Sequence, residues 1–522
     1  MTQATETPSQ ALPPNALVLI IGAGAMGRGI AQVAATAGHP VTLYDLNAAQ
    51  LDAAKAAIER DLASGVAKGK IPAEAAGATQ ARLTYTQDFR ETAPLAALVI
   101  EAIVENLEVK QTLFRDLEAL VAPHTILASN TSSLSITAIA APLTHPERVV
   151  GMHFFNPATH MKLVEVVSGL QTDPAVAETV QATARAWGKI AVRAKSTPGF
   201  IVNRVARPFY GEALRLLLEQ ASDTATIDAI LRDAGNFRMG PFELMDLIGH
   251  DVNAAVTRSV WEAYGYDPRF QPSLIQEELV RAGHLGRKSG RGFYDYREGA
   301  HNPAPQEAEP HPLADPNASL IGDHPALDAM ATRLHNVGVA VKRATVPSEP
   351  CIETHGVRIV LTDGRPATLR ALAEQNPSLA VLDWVRDWKS ATRIAVAFAE
   401  TTPDAARAQA IALLQAAGLR VAVIADTAGL VFARTQAMLA NEAADAVHQG
   451  VASAEEIDLA MRYGTNYPEG PLAWAERVGV IQVTQLLRHL HQFTGDARYR
   501  VSPYLQLRAA EAALNRAPRH LG

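Results

Sequence analysis

Two stretches of the 522-residue sequence hold residue types at spacings that could do chemistry. The first is Arg148-Val149-Val150-Gly151-Met152-His153-Phe154-Phe155-Asn156-Pro157, followed after a turn by Met161-Lys162-Leu163-Val164-Glu165-Val166-Val167. Two apolar runs flanking a short loop predict a β-hairpin. With the loop centred on Thr159, His153 and Glu165 face each other across the ladder, Cβ atoms about 5 Å apart. A carboxylate at that range orients an imidazole and stabilises its protonated form, an arrangement suited to reversible proton transfer. An unpaired Glu in an apolar strand would be costly, which argues that the two are partners. A purely structural His–Glu pair would leave the same trace. His145 and His160 fall in loops and are read as bland.

The second stretch is Leu17-Val18-Leu19-Ile20-Ile21 running into Gly22-Ala23-Gly24-Ala25-Met26-Gly27. A buried parallel strand would break into Gly-x-Gly-x-x-Gly and open a helix. Gly22 permits the tight turn, Gly24 lets backbone approach a pyrophosphate, and Gly27 lets the helix pack on the strand. The free N–H groups and dipole of the helix start favour the anion. A second strand, Val41-Thr42-Leu43-Tyr44, ends at Asp45, 23 positions after Gly22, where an acid would hold the adenosine ribose. Leu46 follows instead of Arg, so NAD is expected over NADP. The alternative is an ordinary βα turn with Asp45 as a helix N-cap.

The elements that must position these groups continue an α/β pattern from residue 16 to about 196. Asn47 to Lys68 reads as a long helix carrying Lys55, Arg60 and Lys68, with Lys70 beyond; it is either a solvated face or a phosphate patch for a large anionic substrate. A strand is expected over Leu98–Val104, then Glu105-Asn106 and a helix containing Lys110. Ligands bind at the carboxyl ends of such strands, so Glu105 and Lys110 are candidate cofactor-side residues, or an exposed pair at a helix start. Thr125-Ile126-Leu127-Ala128 is a further strand, followed by Ser129-Asn130-Thr131-Ser132-Ser133. One of these can cap a helix; five exceed what capping needs and suggest ligand hydrogen bonds.

From Thr197 the pattern turns helical. Thr197-Pro198-Gly199-Phe200 is a turn leading into Ile201-Val202-Asn203-Arg204-Val205 and an amphipathic helix. Asn203 among apolar neighbours is either a satisfied core amide or a pocket donor. Leu285 to Tyr294 is basic and Gly-rich, and residues 297 to 319 hold five prolines with almost no large apolar residue, the mark of a linker. Beyond it, strands are expected at Val357–Leu361, Leu379–Leu382, Arg393–Ala397 and Val421–Ile424, without a further Gly-x-Gly-x-x-Gly.

The chain then repeats itself. At an offset of 230, Gly199 matches Gly429, Arg204 matches Arg434, Glu212-Ala213 matches Glu442-Ala443, Gly240-Pro241 matches Gly470-Pro471 and Gly249 matches Gly479. A register held over fifty positions means duplicated helical domains. Asn203 becomes Ala433 in the second copy. Upstream, aligning Arg148–Phe155 with Arg393–Glu400 sets Phe398 where His153 stands. The second half therefore reads as a copy that kept its fold and lost its chemistry.

Length suggests roughly three or four domains. The net charge of −7 argues against general nucleic-acid binding. Cys351 is the only cysteine, so no intrachain disulfide or Cys-x-x-Cys metal site forms, and a reducing compartment fits. The first fifteen residues lack a basic and an apolar region and read as a loose tail, not a signal peptide. No stretch reaches the roughly 18 apolar residues of a membrane span. A cytoplasmic protein with no membrane partner is expected.

The sequence resembles the L-3-hydroxyacyl-CoA dehydrogenase family. Gly22-x-Gly24-x-Met26-Gly27, Glu101-Ala102-x-x-Glu105-Asn106, Ser129–Leu134, His153–Pro157, Pro198–Arg204 and Gly240–Glu243 match its motifs in order, densely over 16 to 297 and more weakly over 421 to 522. The resemblance implies a Rossmann NAD-binding domain (16–196) after a 1–15 disordered tail. It continues with an all-α domain (197–297), a linker (298–320), a reduced Rossmann-like unit (321–420) and a second all-α copy (421–522). It implies NAD-dependent, reversible oxidation of an L-3-hydroxyacyl-CoA. Its arrangement is similar to members acting on 3-hydroxybutyryl-CoA and, more particularly, on 3-hydroxyadipyl-CoA in phenylacetate breakdown.

By the same resemblance, His153 is the general base, Glu165 its partner, and Ser132 and Asn203 hold the substrate oxygen. Gly22, Gly24, Ala25, Met26, Gly27, Asp45, Glu105, Lys110, Asn130, Ser132, Asn156 and Lys288 contact NAD, and Lys68 contacts coenzyme A. A family serine contact near Lys68 falls at Asp61 here. No metal is implied. The acyl group is expected between the NAD domain and the first helical domain. A homo-oligomer is allowed, with the two helical domains forming an intrachain pseudo-dimer. A dehydrogenase of free hydroxy or sugar acids and a non-catalytic NAD-binding protein are the competing readings.

Overall fold

The computed structural model describes residues 10–346 and 349–516. The chain divides into two compact units: Met1–Arg204 with Gln449–Thr465, and Val205–His448 with Asn466–Gly522.

The first unit is built on eight strands: β1 (Leu17–Ile21), β2 (Val41–Tyr44), β3 (Leu83–Thr86), β4 (Ala96–Glu101), β5 (Ile126–Ser129), β6 (Val149–Phe154), β7 (Leu163–Ser168) and β8 (Ile190–Lys195). They lie in the order β3-β2-β1-β4-β5-β6-β7-β8. β1 to β6 are parallel, β7 runs against β6, and β8 runs with β7. Strand order reverses beside β1, and the Gly-rich turn leaves the sheet there, at the switch point where such sheets take ligands. β1 and β4 are aliphatic because both sheet faces are covered. The Ala25–Thr36 helix lays Ile30, Ala31 and Ala34 on Val18, Ile20 and Leu43.

β4 stops at Glu101, three residues short of the expected end. Glu101 is fully buried and takes the Lys110 ammonium on both oxygens, so the chain leaves the sheet at the charge. Of the expected loose tail, residues 1–9 lie outside the described residues. Residues 10–15 are held: the Leu12 N–H donates to Thr183 Oγ1 at 3.0 Å, and its side chain packs against the core.

A segment from far along the chain completes this unit. The Ala454–Gly464 helix packs on β7 and β8. The Lys195 N–H donates to the Val451 carbonyl and the Arg193 N–H to Glu456 Oε1, both at 2.9 Å. At Gly464 a Cβ would come within 2.7 Å of Leu163 and 2.9 Å of Val202, so only glycine allows this approach.

The second unit holds the helices between Arg207 and His448, those from Pro471 onward, and a seven-stranded sheet. Its strands are β9 (Asn317–Ile321), β10 (Ala340–Ala344), β11 (Cys351–Thr354), β12 (Val357–Leu361), β13 (Leu379–Leu382), β14 (Arg393–Phe398) and β15 (Arg420–Val423), ordered β10-β9-β11-β12-β13-β14-β15. β9 begins inside the segment read as a linker. Its short Asn-Ala-Ser-Leu-Ile run becomes a strand because β10 and β11 pair with it on both edges. The proline-rich stretch before it is also fastened: the Ala308 N–H donates to Val421 O at 2.8 Å, and Gln415 Nε2 donates to Ala308 O at 3.0 Å.

The repeat runs further upstream than the helices. At the same offset of 230, β13 overlays the start of β6, β14 overlays β7, and the Asp404–Ala416 helix overlays Pro174–Ala186. His153 therefore corresponds to Asp383 and Glu165 to Ala395, and the alignment that set Phe398 against His153 is shifted. The Asp383 N–H bonds to Ala395 O at 3.0 Å, repeating the pairing of His153 with Glu165. The Arg207–Leu218 helix packs along its copy-related partner region, Phe432–His448. Across that contact Arg434 donates to Glu212 at 2.8 Å and to Glu219 at 2.7 Å.

Candidate active site

The hairpin forms in the expected register, with His153 on β6 opposite Glu165 on β7. His153 Nδ1 lies 2.7 Å from Glu165 Oε2, and both side chains are buried. Phe155 and Phe200 face the imidazole, with ring centroids at 4.5 and 5.9 Å. The second carboxylate oxygen is also occupied: Glu165 Oε1 accepts the N–H groups of Ile201 and Val202, each at 3.0 Å. Those N–H groups are aimed by a turn in which Gly199 and Phe200 both take positive φ, 74° and 47°. Glu165 is thus held from two sides, and Nε2 is the imidazole nitrogen left for proton exchange with a ligand.

The polar loop after β5 converges on Glu105. Its Oε1 accepts from Thr131 Oγ1 at 2.5 Å, the Ser132 N–H at 3.1 Å and Ser133 Oγ at 2.9 Å. Lys110 Nζ stands 3.3 Å from Oε2. Burial pushes the Glu105 carboxyl up, but the Thr131 and Ser133 hydroxyls, the Ser132 N–H and the Lys110 charge together hold it below the usual carboxylate range. Asn203 Nδ2 reaches the Ser132 carbonyl at 3.4 Å, so the structure brings these two together. Asn130 Oδ1 accepts the Phe154 N–H at 2.8 Å and ties the β5 end to the residue after His153. Asn156 is exposed in the hairpin loop.

At the Gly-rich turn, Gly22 has φ 103°, and a Cβ there would meet Ala102 O at 2.7 Å. A Cβ on Gly27 would sit 1.7 Å from Gly22 O, whereas one on Gly24 would meet nothing within 4 Å. Gly24, Ala25 and the half-buried Met26 therefore begin a helix whose first N–H groups face open space with no side-chain cap. Asp45 stands half-exposed at the end of β2, accepting the Ala23 N–H at 2.8 Å and the Asn47 N–H at 2.9 Å. An open helix start beside an acid at the next strand end fits the pyrophosphate and ribose of NAD.

Three of the expected residues are lysines. The Lys110 ammonium is buried between Glu101 and Glu105 and presents no free charge. Lys68 is the exposed C-cap of the Ala48–Ala67 helix, and Lys55, Arg60 and Lys70 are exposed as well. Lys288 belongs to the second unit, where its Nζ pairs with Asp251 at 2.5 Å. Sequence reasoning missed Lys189, whose Nζ donates to the carbonyls of Ala158 and Met161 at 2.6 and 2.9 Å and so fastens the hairpin loop. Its neighbours Gly188 and Ile190 carry no charge signal that would have singled it out.

The family models that match are the NAD binding domain of 3-hydroxyacyl-CoA dehydrogenase over residues 17–197 and its C-terminal domain over 199–296 and again over 429–519. Between them, residues 359–427 match the reduced Rossmann-fold domain of 3-hydroxybutyryl-CoA dehydrogenase. The chain is 46% identical over 492 residues to the 3-hydroxyadipyl-CoA dehydrogenase of Escherichia coli K12, covering 94% of this chain and 97% of that one. It is 41% identical over 286 residues to human mitochondrial hydroxyacyl-coenzyme A dehydrogenase, 54% of this chain and 91% of that one. A solved structure of an Escherichia coli K12 3-hydroxybutyryl-CoA dehydrogenase superposes with a TM-score of 0.88 at 44% identity, covering 96% of this chain and 99% of its own.

Proposed function

Because the chain belongs to the 3-hydroxyacyl-CoA dehydrogenase family of NAD-dependent oxidoreductases, we propose that it interconverts L-3-hydroxyadipyl-CoA and 3-oxoadipyl-CoA. The chemistry rests on one observation above the others: the buried His153–Glu165 pair, with the far carboxylate oxygen locked by Ile201 and Val202. The choice of acyl group rests on the 46% identity to the adipyl enzyme over nearly the whole of both chains.

Bound NAD would supply the acceptor for the C3 hydride. His153 accepts the 3-hydroxyl proton through Nε2 in that direction and returns it in the other. Glu165 fixes the ring and balances the imidazolium charge, a role that needs its own orientation secured. Asn203 and Ser132, already in contact, hold the substrate oxygen. Gly22, Gly24, Ala25, Met26 and Gly27 cradle the pyrophosphate and Asp45 the ribose. Glu105, Asn130, Asn156 and Lys288 serve the cofactor side, with Lys110 acting through its charge on Glu105. Lys68 meets the coenzyme A phosphates.

A second reading, 3-hydroxybutyryl-CoA dehydrogenase, is favoured by the superposition at a TM-score of 0.88. NADH consumption with 3-oxoadipyl-CoA and acetoacetyl-CoA separates the two. At least a tenfold higher kcat/KM for the adipyl ester is expected, and the reverse preference assigns the chain to the short-chain reaction. We further propose that the copy-related helical regions act as an intrachain pseudo-dimer and that the enzyme works in the cytoplasm of a bacterium breaking down phenylacetate. Support for the first is the Arg434–Glu212 contact between the copies. For the second, no described helix is long and apolar enough to cross a membrane.

A further inference from the structure

Within the second unit, a cavity of about 320 Å³ opens beside the Arg207–Leu218 helix and is closed on its far side by Thr494, Asp496, Arg498 and Tyr499. Five charged side chains on its wall have an opposite charge in reach among the described residues. Arg215 pairs with Glu212, Arg269 with Glu442 at 3.1 Å, Glu219 with Arg434 at 2.7 Å, and Arg498 with Asp496 at 2.6 Å. Arg207 has none.

Its residue is 7% exposed. Nη1 is spent on Thr257 Oγ1 at 3.0 Å and Asn253 O at 3.5 Å, and Nε has no partner. The Tyr210 ring lies 4.9 Å from the guanidinium carbon. Burial draws the guanidinium below its ordinary range, and the nearby Tyr210 and Tyr467 oppose that shift. A buried guanidinium is costly unless something neutralises it, and a carboxylate matches its fork. The lining also holds the buried Leu214 and Phe270 and the largely exposed Leu218 and Leu274. That combination suits a charged head on a hydrocarbon chain better than a compact inorganic anion.

We propose that this cavity is a binding site for a carboxylate carried on a short aliphatic chain, with Arg207 as its anchor. Two sources share that chemistry: a free aliphatic carboxylate, and the distal carboxylate of an acyl-CoA substrate. The second source rests on the reading above; the first does not.

The test uses the full chain, wild type and the variants Arg207→Leu and Arg207→Lys. Adipate and hexanoate are titrated by calorimetry, with hexan-1-ol and inorganic phosphate as controls. The ratio of kcat/KM for 3-oxoadipyl-CoA to that for acetoacetyl-CoA is measured in parallel. A free-carboxylate site predicts that adipate and hexanoate bind, that both controls fail, that Arg207→Leu weakens binding at least tenfold, and that the ratio does not move. A substrate-carboxylate site predicts at least a tenfold fall in the ratio in Arg207→Leu, with partial recovery in Arg207→Lys. The binding arm reads out even when neither ester is turned over, so failure of the assigned reaction is told apart from failure of the site. Should Arg207→Leu not fold, wild type with hexan-1-ol and Arg207→Lys still decide. The proposal is overturned by phosphate or hexan-1-ol binding as well as adipate does. It is also overturned by carboxylate binding and a substrate ratio that are both indifferent to residue 207.

Discussion

The catalytic pair is defended by backbone. Glu165 is fully buried and accepts three hydrogen bonds: one from His153 and one each from the N–H groups of Ile201 and Val202. Replacing His153 with Ala removes the proton acceptor and should lower kcat by about 10²- to 10⁴-fold, with little effect on NADH affinity. Glu165→Gln is the sharper variant. Its amide NH2 must face either the imidazole N–H or the two backbone N–H groups, so a donor meets a donor on one side. A fall in kcat of about tenfold to a hundredfold is expected, with the KM for NADH within about threefold of wild type. Steady-state kinetics of both variants checks this, and wild-type kcat in Glu165→Gln would end the pairing argument. The pair was legible in the sequence because a hairpin has arithmetic: a loop centre fixes which residues oppose one another. The two N–H donors were not, since backbone donors leave no residue type behind. The partner of Lys110 was hidden for a related reason. A lysine at a strand's ligand end looks free until the buried Glu101 that consumes it is seen.

The β6–β7 hairpin needs its loop held as well as its ladder paired, and Lys189 does this from the start of β8 through the carbonyls of Ala158 and Met161. Burial pushes its ammonium down to about 8, whereas an unfolded lysine titrates near 10.4. Between those values the unfolded chain binds more protons than the folded one, so the stability contributed at this site rises with pH across that window. Below pH 8 the burial penalty is present in full and constant. The neutral amine still donates to both carbonyls. Lys189→Met cannot titrate there, so the stability advantage of wild type over Lys189→Met should grow between pH 7.5 and 9.5. Growth on the order of 1 kcal/mol is expected after allowing for partial exposure. Parallel thermal melts at the two pH values measure it, and a difference that stays flat would remove the titration from the account. Among elements, β1, β2, β4 and β5 of the first sheet were legible as aliphatic runs, and so were β12 to β15 as short apolar segments. β9 to β11 were not. β10, Ala-Val-Lys-Arg-Ala, is an exposed edge strand with little apolar content, so nothing in its composition marks it. It is a strand because β9 offers it an edge.

At the scale of the whole chain, duplication has been turned into mutual support. Each copy's sheet receives a hydrogen bond partner from the other copy at the same offset of 230: the Lys195 N–H donates to Val451 O in the first unit, and the Ala425 N–H to Ala221 O in the second. The Ala454–Gly464 helix of the second copy lies on β7, the strand that carries Glu165, and its Gly464 abuts Leu163 and Val202. The second copy has meanwhile surrendered its own chemistry. At the place of His153 stands Asp383, whose carboxylate accepts the N–H groups of Val431, Phe432 and Ala433 and so does by itself the fastening that Glu165 does in the first copy. Burial raises the Asp383 carboxyl to about 7, and no imidazole remains to exchange a proton with a ligand. The second copy thus keeps the fastening of its hairpin without a His–Glu pair. Ending the chain near residue 320 would strip the Phe432–His448 helix from Arg207–Leu218, opening Glu212 to water with Arg215 as its remaining partner and leaving an apolar helix face exposed. The uncovered face carries the cost, about 25 cal/mol for each Å² of apolar surface left in water. The truncated chain should aggregate, or survive only by pairing with a second copy of itself through the uncovered face. Expression followed by size-exclusion chromatography and NADH turnover decides it. A truncated chain that is soluble, monomeric and as active as the full one would show that the second half supports nothing in the first.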